Sequence, residues 1–282
     1  MRSSDIRLGL GEGPLWHPLT QRLYVTDIHR GVLQEFDGNL VLLRSHELGR
    51  VTSAMTWQAD GSLLLFQDRG GVSRWWPDGR QEVLLDSLPG AEGTRFNDAI
   101  ADPVGRVLCG LEPDGSRPGR LYSIGQDLQP RLLIDLVEEP NGLGFSPDHS
   151  RLYFTDSVAQ TIWRFPYDTA TGNLGKREEF FRTRDAVLPD GLTVDSEGNV
   201  WTALWNGGGV MCITADGTVA MKYPVPARRT TSLTFGGAGF STLFVTSARD
   251  HGEDEPGPLD GAVFVLEGCG TGVAEFPSNL GE

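Results

Sequence analysis

The chain has 282 residues, a length that suits two average domains or one closed β domain. Its 38 acidic and 24 basic residues give a formal charge of −14, which repels phosphate backbones and excludes nucleic acid as an expected partner. Hydrophobic residues make up 39%, enough for a buried core, and 37 glycines with 17 prolines suit a fold with many turns.

The sequence also carries signals about the cellular compartment. No apolar run approaches the length of a membrane span, and residues 1–7 lack the apolar core of a secretory signal. The cysteines, Cys109, Cys212 and Cys269, have no Cys-x-x-Cys spacing, and each lies in an apolar run. We therefore expect buried free thiols and a cytoplasmic protein with no membrane association. Because no interface can be read from the sequence, we expect a monomer or weak dimer.

One unit recurs along the chain: an apolar strand, a small polar turn and a second apolar strand. It is clearest at residues 190–201 and is seen again at 141–154 and 13–25. The apolar residue before each turn recurs at intervals of 41 to 49 residues, at Trp16, Trp57, Ala101, Phe145, Val194 and Phe235. A period in this range, with no helical pattern inside it, predicts an all-β, six-bladed β-propeller of four-stranded antiparallel blades. We expect residues 1–282 to form a single domain.

The predicted elements follow in chain order. Residues 5–11 alternate apolar and polar side chains and predict a strand that closes the last blade beside residues 261–266. The first repeat predicts strands at 13–16, 22–26, 31–36 and 40–44. The fourth predicts strands at 152–155 and 161–166, followed by a hairpin turn at 168–173, and residues 249–259 form an acidic loop in the sixth repeat.

A set of polar residues shares one phase of the repeat. The position four residues before each marker carries a side-chain oxygen in every repeat: Glu12, Ser53, Asn97, Asn141, Asp190 and Thr231. Because equivalent positions in a propeller share height and radius, these ring positions should converge at one mouth of the central channel. Converging carboxylate and amide oxygens suit a hard or borderline divalent cation, for which Glu12, Asn141 and Asp190 are the strongest candidates.

Ordinary turn chemistry is the competing interpretation of the ring. Asn141-Gly142 and Asp190-Gly191 are common turn dipeptides. However, Glu12-Gly13 is not a turn-favoured pair, and turns do not need to share a phase across repeats. The metal interpretation is therefore favoured for the set.

A second set is expected to wall a pocket above the ion. Eleven residues after the markers lie Asp27, Asp68, Glu112, Asp156, Trp205 and Thr246, with Arg69, Asn206 and Arg249 close by. The three aspartates can equally cap their own turns. Trp205 and Asn206 precede three glycines and look less like a plain hairpin. Of the histidines, which show no ligand spacing, only His29 and His251 fall on pocket-side turns.

Arg95 lies two residues before Asn97 and on the same strand face, so its guanidinium can reach the mouth and bind an oxygen-rich ligand. The alternative is an arginine paired with a neighbouring carboxylate. Asp98 points to the opposite face and is expected to brace the strand. No Gly-x-Ser-x-Gly elbow or phosphate-binding loop is present, which argues against a serine hydrolase or a nucleotide-binding loop.

Four motifs resemble the senescence-marker-protein/gluconolactonase/regucalcin-like family: Gly-Glu-Gly-Pro-Leu-Trp at 11–16, Arg-Phe-Asn-Asp at 95–98, Pro-Asn-Gly-Leu at 140–143 and Pro-Asp-Gly-Leu at 189–192. The resemblance covers essentially the whole chain. It implies a six-bladed propeller with one catalytic divalent ion held by Glu12, Asn141 and Asp190. It also implies that Asp190 acts as the base and that Arg95 and Asn97 contact the substrate.

The chain departs from the family pattern near the substrate. Ala99 stands where many members have glycine, and Gly110-Leu111-Glu112 replaces the usual Gly-Thr-Met. Residues 201–205 look like the bacterial sugar-lactonase branch. These departures leave the identity of the sugar open.

We therefore expect a metal-dependent enzyme that opens a sugar lactone of the gluconolactone, xylonolactone or arabinolactone type to its aldonic acid, with Ca, Zn, Mn, Mg or Fe(II) as the cofactor. Arg95, Asn97, Glu112, Trp205 and Asn206 are expected to bind the substrate. Two alternatives stay open. One is a non-catalytic, regucalcin-like calcium-binding protein, and the other is a hydrolase of a different ester on the same scaffold.

Overall fold

Short apolar runs punctuated by turns produce 25 β-strands in the residues that the computed structural model describes, 1–249 and 255–281. They assemble into six antiparallel sheets. Regular helix is limited, over those ranges, to two single 3₁₀ turns, Ile28–Arg30 and Ala238–Phe240. None of the helices described is long and apolar enough to cross a membrane.

Each sheet is one blade, and its strands run outward from the centre in chain order, except that the N-terminal strand β1 is outermost in blade 6. Blade 1 contains β2 (Gly11–His17), β3 (Arg22–Asp27), β4 (Val32–Phe36) and β5 (Leu42–Glu47). Blade 2 contains β6 (Thr52–Trp57), β7 (Leu63–Gln67), β8 (Val72–Trp75) and β9 (Gln81–Leu85). Blade 3 contains β10 (Phe96–Ala101), β11 (Val107–Leu111), β12 (Gly119–Ile124) and β13 (Pro130–Val137).

The second half follows the same plan with one addition. Blade 4 contains β14 (Pro140–Phe145), β15 (Arg151–Asp156), β16 (Thr161–Asp168), β17 (Asn173–Leu174) and β18 (Glu178–Arg182). Blade 5 contains β19 (Leu188–Val194), β20 (Val200–Trp205), β21 (Gly209–Ile213) and β22 (Val219–Pro224). Blade 6 contains β23 (Thr230–Gly236), β24 (Thr242–Ser247), β25 (Phe264–Glu267) and β1 (Arg2–Ser3). The extra strand β17 forms the hairpin predicted at 168–173, where Asp168 pairs with Asn173.

The innermost strands form a closed ring. β2 contacts β6, and contacts continue through β10, β14 and β19 to β23, which returns to β2. The predicted six-bladed β-propeller is therefore confirmed. Side chains from adjacent blades fill the space between them, as where Trp16 of blade 1 stacks on Phe244 of blade 6 at 5.6 Å. The three cysteines are buried and free, as predicted.

The N-terminal segment closes blade 6, but not with the predicted residues. The strand that pairs with β25 is Arg2–Ser3, whereas residues 5–11 were expected to pair there. The alternation over residues 5–11 has another cause, because Leu8 and Leu10 are separate buried anchors beside blades 1 and 6. The Leu8 amide donates to the Gly261 carbonyl at 2.7 Å, and Leu10 forms a single bridge with Ala248.

The C-terminal tail, residues 268–281, runs across the end of the propeller where the innermost strands finish. Gly272 bridges to Asp195, and Ser278 bridges to Gln58. The Gln58 side-chain amide also donates to the Leu280 carbonyl at 2.9 Å. The tail thereby covers one mouth of the central channel, while the ring positions, at the start of the innermost strands, lie at the other mouth.

Candidate functional site

Every innermost strand has an irregularity at its ring position. The pairing register shifts within Glu12–Leu15, Thr52–Ala54, Phe96–Ala99, Pro140–Leu143, Pro189–Leu192 and Thr230–Leu233. A β-bulge bends a strand and re-aims a side chain, and bulges are common beside active sites. The repeated bulge gives the polar residues of the ring a common setting.

The glycines after the candidate ligands permit close approach of neighbouring blades. Asn141-Gly142 and Asp190-Gly191 lie inside β14 and β19, so neither pair is a hairpin turn. A Cβ atom added to Gly142 would lie 2.4 Å from the Leu192 nitrogen, and one added to Gly191 would lie 2.1 Å from the Ser232 Oγ. Only glycine fits such contacts. The turn-dipeptide interpretation is therefore wrong.

Three ring residues tie one blade to the next. The Ser53 hydroxyl donates to the Phe96 carbonyl at 2.7 Å, and the Thr231 hydroxyl donates to the Gly11 carbonyl at 2.6 Å. The Asn97 amide donates to the Pro140 carbonyl at 3.0 Å. Ser53 and Thr231 are fully buried and have no access to a ligand. The ring oxygens that remain available to a ligand are those of Glu12, Asn141 and Asp190.

Glu12, Asn141 and Asp190 line one cavity of about 330 Å³. Its wall is formed by Leu10, Glu12, Arg95, Asn97, Glu112, Glu139, Asn141, Ser157, Leu188, Asp190 and Trp205. The structure therefore brings together the three candidate ligands and four of the predicted substrate contacts. Such a concave pocket with converging polar groups is the usual form of a small-molecule site.

Asn206 is not among the residues on this wall. It has a left-handed backbone conformation with φ of 61°, in the turn after β20. Its side-chain nitrogen donates to the Ala186 carbonyl at 3.4 Å, and its side-chain oxygen is buried within the protein. The contact between Asn206 and the substrate therefore stays a prediction.

Burial and mutual repulsion raise the pKa values of the acidic groups of the cavity. Burial, with added repulsion from Glu12 and Glu139, raises the pKa of Asp190 well above its ordinary value. Burial, together with Asp98, raises the pKa of Glu12 to about 8. One oxygen of Asp190, Oδ1, is buried and has no hydrogen-bond partner within residues 1–249 and 255–281. A buried unpaired carboxylate oxygen is costly and is normally satisfied by a ligand or metal.

The donor set fits a divalent cation that prefers oxygen. Glu12 and Asn141 already accept from the amides of Gly13 and Gly142 at 3.1 and 3.0 Å, which fixes their side chains. The described residues contain no cluster of three His, Cys, Asp or Glu side chains placed to hold a metal. Glu12, Asn141 and Asp190 supply two carboxylates and one amide oxygen instead, a combination suited to calcium, magnesium or manganese and acceptable to zinc and iron.

Arg95 lies on the cavity wall and is also ion-paired. Its Nη2 lies 2.7 Å from Glu112 Oε1, and its Nη1 donates to Ser53 Oγ and Asn97 Oδ1 at 2.8 Å. Arg95 therefore has the carboxylate partner of the alternative interpretation and also lies on the cavity wall, while its contact with a ligand stays a prediction. The guanidinium holds Asn97 and Glu112 in place along the wall.

The second predicted ring divides into two groups. Asp27 accepts from the amides of Gly9 and Leu10, and Asp156 accepts from those of Glu138 and Glu139 at 3.1 and 3.0 Å. Asp68 pairs with Arg50, Arg69 pairs with Asp86, and Thr246 shares a hydrogen bond with Thr231. These side chains anchor the backbone around the site. Of the second ring, Glu112 and Trp205 reach the cavity wall.

Of the two histidines predicted on pocket-side turns, His29 is the one that the structure describes. His29 lies in the 3₁₀ turn after β3 and is not part of the wall. His251 lies outside the described residues, as do the other residues of the 250–254 segment of the predicted acidic loop. Arg249 lies at the edge of that gap and is not on the wall either.

Sequence reasoning missed four wall residues: Leu10, Glu139, Ser157 and Leu188. Three of them lie two residues before Glu12, Asn141 and Asp190, the same offset that relates Arg95 to Asn97. Applying that offset to every repeat would have found them. Ser157 is held by a hydrogen bond from its hydroxyl to the Pro189 carbonyl at 2.7 Å.

Comparison with known proteins agrees with the fold. The family model for the SMP-30/gluconolactonase/LRE-like region matches residues 10–249. The pentonolactonase XacC of Haloferax volcanii is 41% identical over 289 residues, covering 99% of this chain and 98% of the relative. Human regucalcin is 29% identical and covers 94% of this chain and 93% of the relative.

The solved structures include a close match to the whole propeller. A calcium-binding protein, regucalcin, from Agrobacterium tumefaciens has a TM-score of 0.89 and is 29% identical. The match covers 97% of this chain and 95% of that protein. The likeness therefore extends over every blade.

Proposed function

The chain belongs to the SMP-30/gluconolactonase/LRE-like family, and on that premise we propose that it is a metal-dependent lactonase. Its substrate is a sugar lactone of the gluconolactone, xylonolactone or arabinolactone type, which it opens to the aldonic acid. The pentonolactonase activity named for the Haloferax volcanii relative supports this substrate class. The observation that carries the proposal is the buried, unpartnered Oδ1 of Asp190 in a cavity that Glu12 and Asn141 also line.

In this proposal Glu12, Asn141 and Asp190 hold one divalent cation. The cation supplies Lewis acidity, which polarises an ester carbonyl and lowers the pKa of water. The calcium-binding relative from Agrobacterium tumefaciens supports a divalent ion, and the oxygen donors accept Ca, Mg, Mn, Zn or Fe(II).

Asp190 is the proposed general base. Its carboxylate takes a proton from the attacking water as the water oxygen bonds to the carbonyl carbon. The bond from that carbon to the ring oxygen then breaks, and the proton passes to the departing oxygen.

The remaining wall residues orient the sugar. Asn97 gives one amide hydrogen to Pro140, so its second amide hydrogen is available for a substrate hydroxyl. The carboxylate of Glu112, which is held by Arg95, can accept a hydrogen bond from a substrate hydroxyl. Trp205, Leu10 and Leu188 offer apolar surface to the C–H face of a sugar ring. Fixing the lactone between these surfaces places its carbonyl near Asp190.

A lactone panel tests this function. The protein is incubated with gluconolactone, xylonolactone and arabinolactone, and acid release is followed with chelator and after reconstitution with each of several cations. We expect chelator-sensitive hydrolysis that Asp190→Asn abolishes and that Asp5→Asn, at an exposed site, leaves unchanged. Full activity in folded Asp190→Asn, or no hydrolysis with any cation, would refute the proposal.

A non-catalytic calcium-binding role is the second candidate. The all-oxygen donor set and the regucalcin relatives favour it. Tight calcium binding by calorimetry, together with no acid release from any lactone, would establish this role in place of the first.

A further inference from the structure

Glu139 contributes a carboxylate to the cavity wall, and its backbone is fixed from both sides. Its amide donates to Asp156 Oδ1 at 3.0 Å, and its carbonyl accepts from the Ser157 amide at 3.0 Å. Glu138, the preceding residue, is exposed to solvent, whereas Glu139 is half-buried and faces the cavity. Two adjacent acids therefore have opposite surroundings.

Within residues 1–249 and 255–281, no side chain or backbone amide donates a hydrogen bond to the Glu139 carboxylate. Glu112, Arg95 and Asp156 influence it through charge alone, and none of them donates a hydrogen bond to it. Its oxygens can therefore accept hydrogen bonds from a ligand in the cavity. A substrate hydroxyl is the natural donor, because hydrogen bonds to an ionised acceptor are stronger than those between neutral groups.

The positive charge of Arg95 stabilises the Glu139 carboxylate through space, but the hydrogen bonds of the guanidinium go to other groups. The guanidinium is paired with Glu112 at 2.7 Å, and its Nη1 is occupied by Ser53 and Asn97. Of the charged groups that the described part of the chain contributes to the wall, four are carboxylates and one is a guanidinium. A divalent cation adds two positive charges, which still leaves the wall with a negative excess.

We propose, on the basis of the lactonase function above, that Glu139 restricts the site to neutral, polyhydroxylated lactones. Its carboxylate accepts a substrate hydroxyl and repels lactones that carry a carboxylate or phosphate. In this cavity an anionic group meets four carboxylates and the guanidinium of Arg95, which is already paired with Glu112, among the residues that the structure describes. Like-charge contacts are an effective way to exclude an unwanted ligand.

The test compares two substrates that differ by one charge. These are the neutral lactone that the enzyme hydrolyses fastest and its analogue with a carboxylate in place of the terminal hydroxymethyl group. For glucono-1,4-lactone the analogue is glucaro-1,4-lactone. The ratio of kcat/KM values is measured for the cation-loaded wild type, Glu139→Gln and the matched control Glu138→Gln.

We expect Glu139→Gln to lower the ratio of kcat/KM for the neutral lactone to kcat/KM for the anionic lactone by about tenfold or more. The reason is that the substitution removes one unit charge a few ångströms from the substrate. Glu138→Gln should leave the ratio unchanged. Added salt should raise kcat/KM for the anionic lactone in wild type and have less effect in Glu139→Gln. Glu139→Ala, which also loses the acceptor, should raise KM for the neutral lactone more than Glu139→Gln does.

A second variant guards against misfolding of the first. Glu112→Gln releases the charge of Arg95 and should also improve the relative rate on the anionic lactone. Neutral-lactone hydrolysis with an unchanged ratio in both variants would overturn the inference and leave the lactonase function standing. Absence of hydrolysis of any lactone by wild type would overturn the lactonase function and this inference together.

Discussion

Glu275 places a carboxyl group in the central channel near the mouth that the C-terminal tail covers. It lines a small cavity there with Asp98 and apolar residues of the innermost strands. Burial, with added repulsion from Asp98, raises the pKa of Glu275 to about 8. We predict that Glu275→Gln, which removes the charge and keeps the side-chain shape, stabilises the folded protein at pH 8.

The sign follows from linkage between protonation and folding. A carboxyl whose pKa is raised by folding favours the folded state below its ordinary pKa, and that contribution is lost as the pH rises through the folded value. A rise from 4.5 to about 8 corresponds to at most about 5 kcal/mol. Glu275 is only partly buried, so we expect about 1–2 kcal/mol at pH 8 after solvent screening. That gain is worth roughly 3–6 °C in Tm.

Thermal unfolding at pH 4.5 and pH 8 measures this effect. Glu275→Gln should exceed wild type in Tm at pH 8 and match it at pH 4.5, where the carboxyl is largely protonated. Glu138→Gln, an exposed control, should not differ from wild type at either pH. An equal Tm of wild type and Glu275→Gln at pH 8, or a gain of the same size at pH 4.5, would refute the reasoning.

Three further predictions follow. Asn97→Ala loses the hydrogen bond to Pro140 and should raise KM for the neutral lactone about tenfold with a smaller change in kcat, measured by steady-state kinetics. Gly191→Ala forces a methyl group against Ser232, so calorimetry should show weaker cation binding and thermal unfolding a lower Tm. Gly125→Ala is the tolerated control, because no atom lies closer than 3.6 Å to the added Cβ. Because the pKa of Glu12 is raised to about 8, the metal-free protein loses stability from pH 4.5 through pH 8, and a saturating cation should raise Tm more at pH 8 than at pH 5.

The phase of the repeat was sufficient to predict the fold and most of the cavity wall. In a propeller, positions equivalent in sequence have equivalent places around the axis, so Glu12, Asn141 and Asp190 could be grouped without knowing any contact. The same rule, applied two residues earlier, would have added Glu139 and Leu188. Only Arg95 was predicted at that offset, because its charge pointed to ligand binding.

The features that sequence did not predict depend on contacts outside the repeat. The tail brings Glu275 to the channel and Ser278 to Gln58 across more than 200 residues, and no periodicity encodes that path. The closing strand was placed too late because Leu8 and Leu10 imitate a strand while acting as single anchors. The conformation of Asn206 depends on the left-handed turn after β20, which no periodicity encodes.

An anomalous difference map from crystals grown with manganese tests the central claim most directly. The account predicts one strong peak in the channel mouth, in contact with side-chain oxygens of Glu12, Asn141 and Asp190, and its loss in Asp190→Asn. A map with no peak at that mouth, or a peak that none of these three side chains touches, would contradict the account.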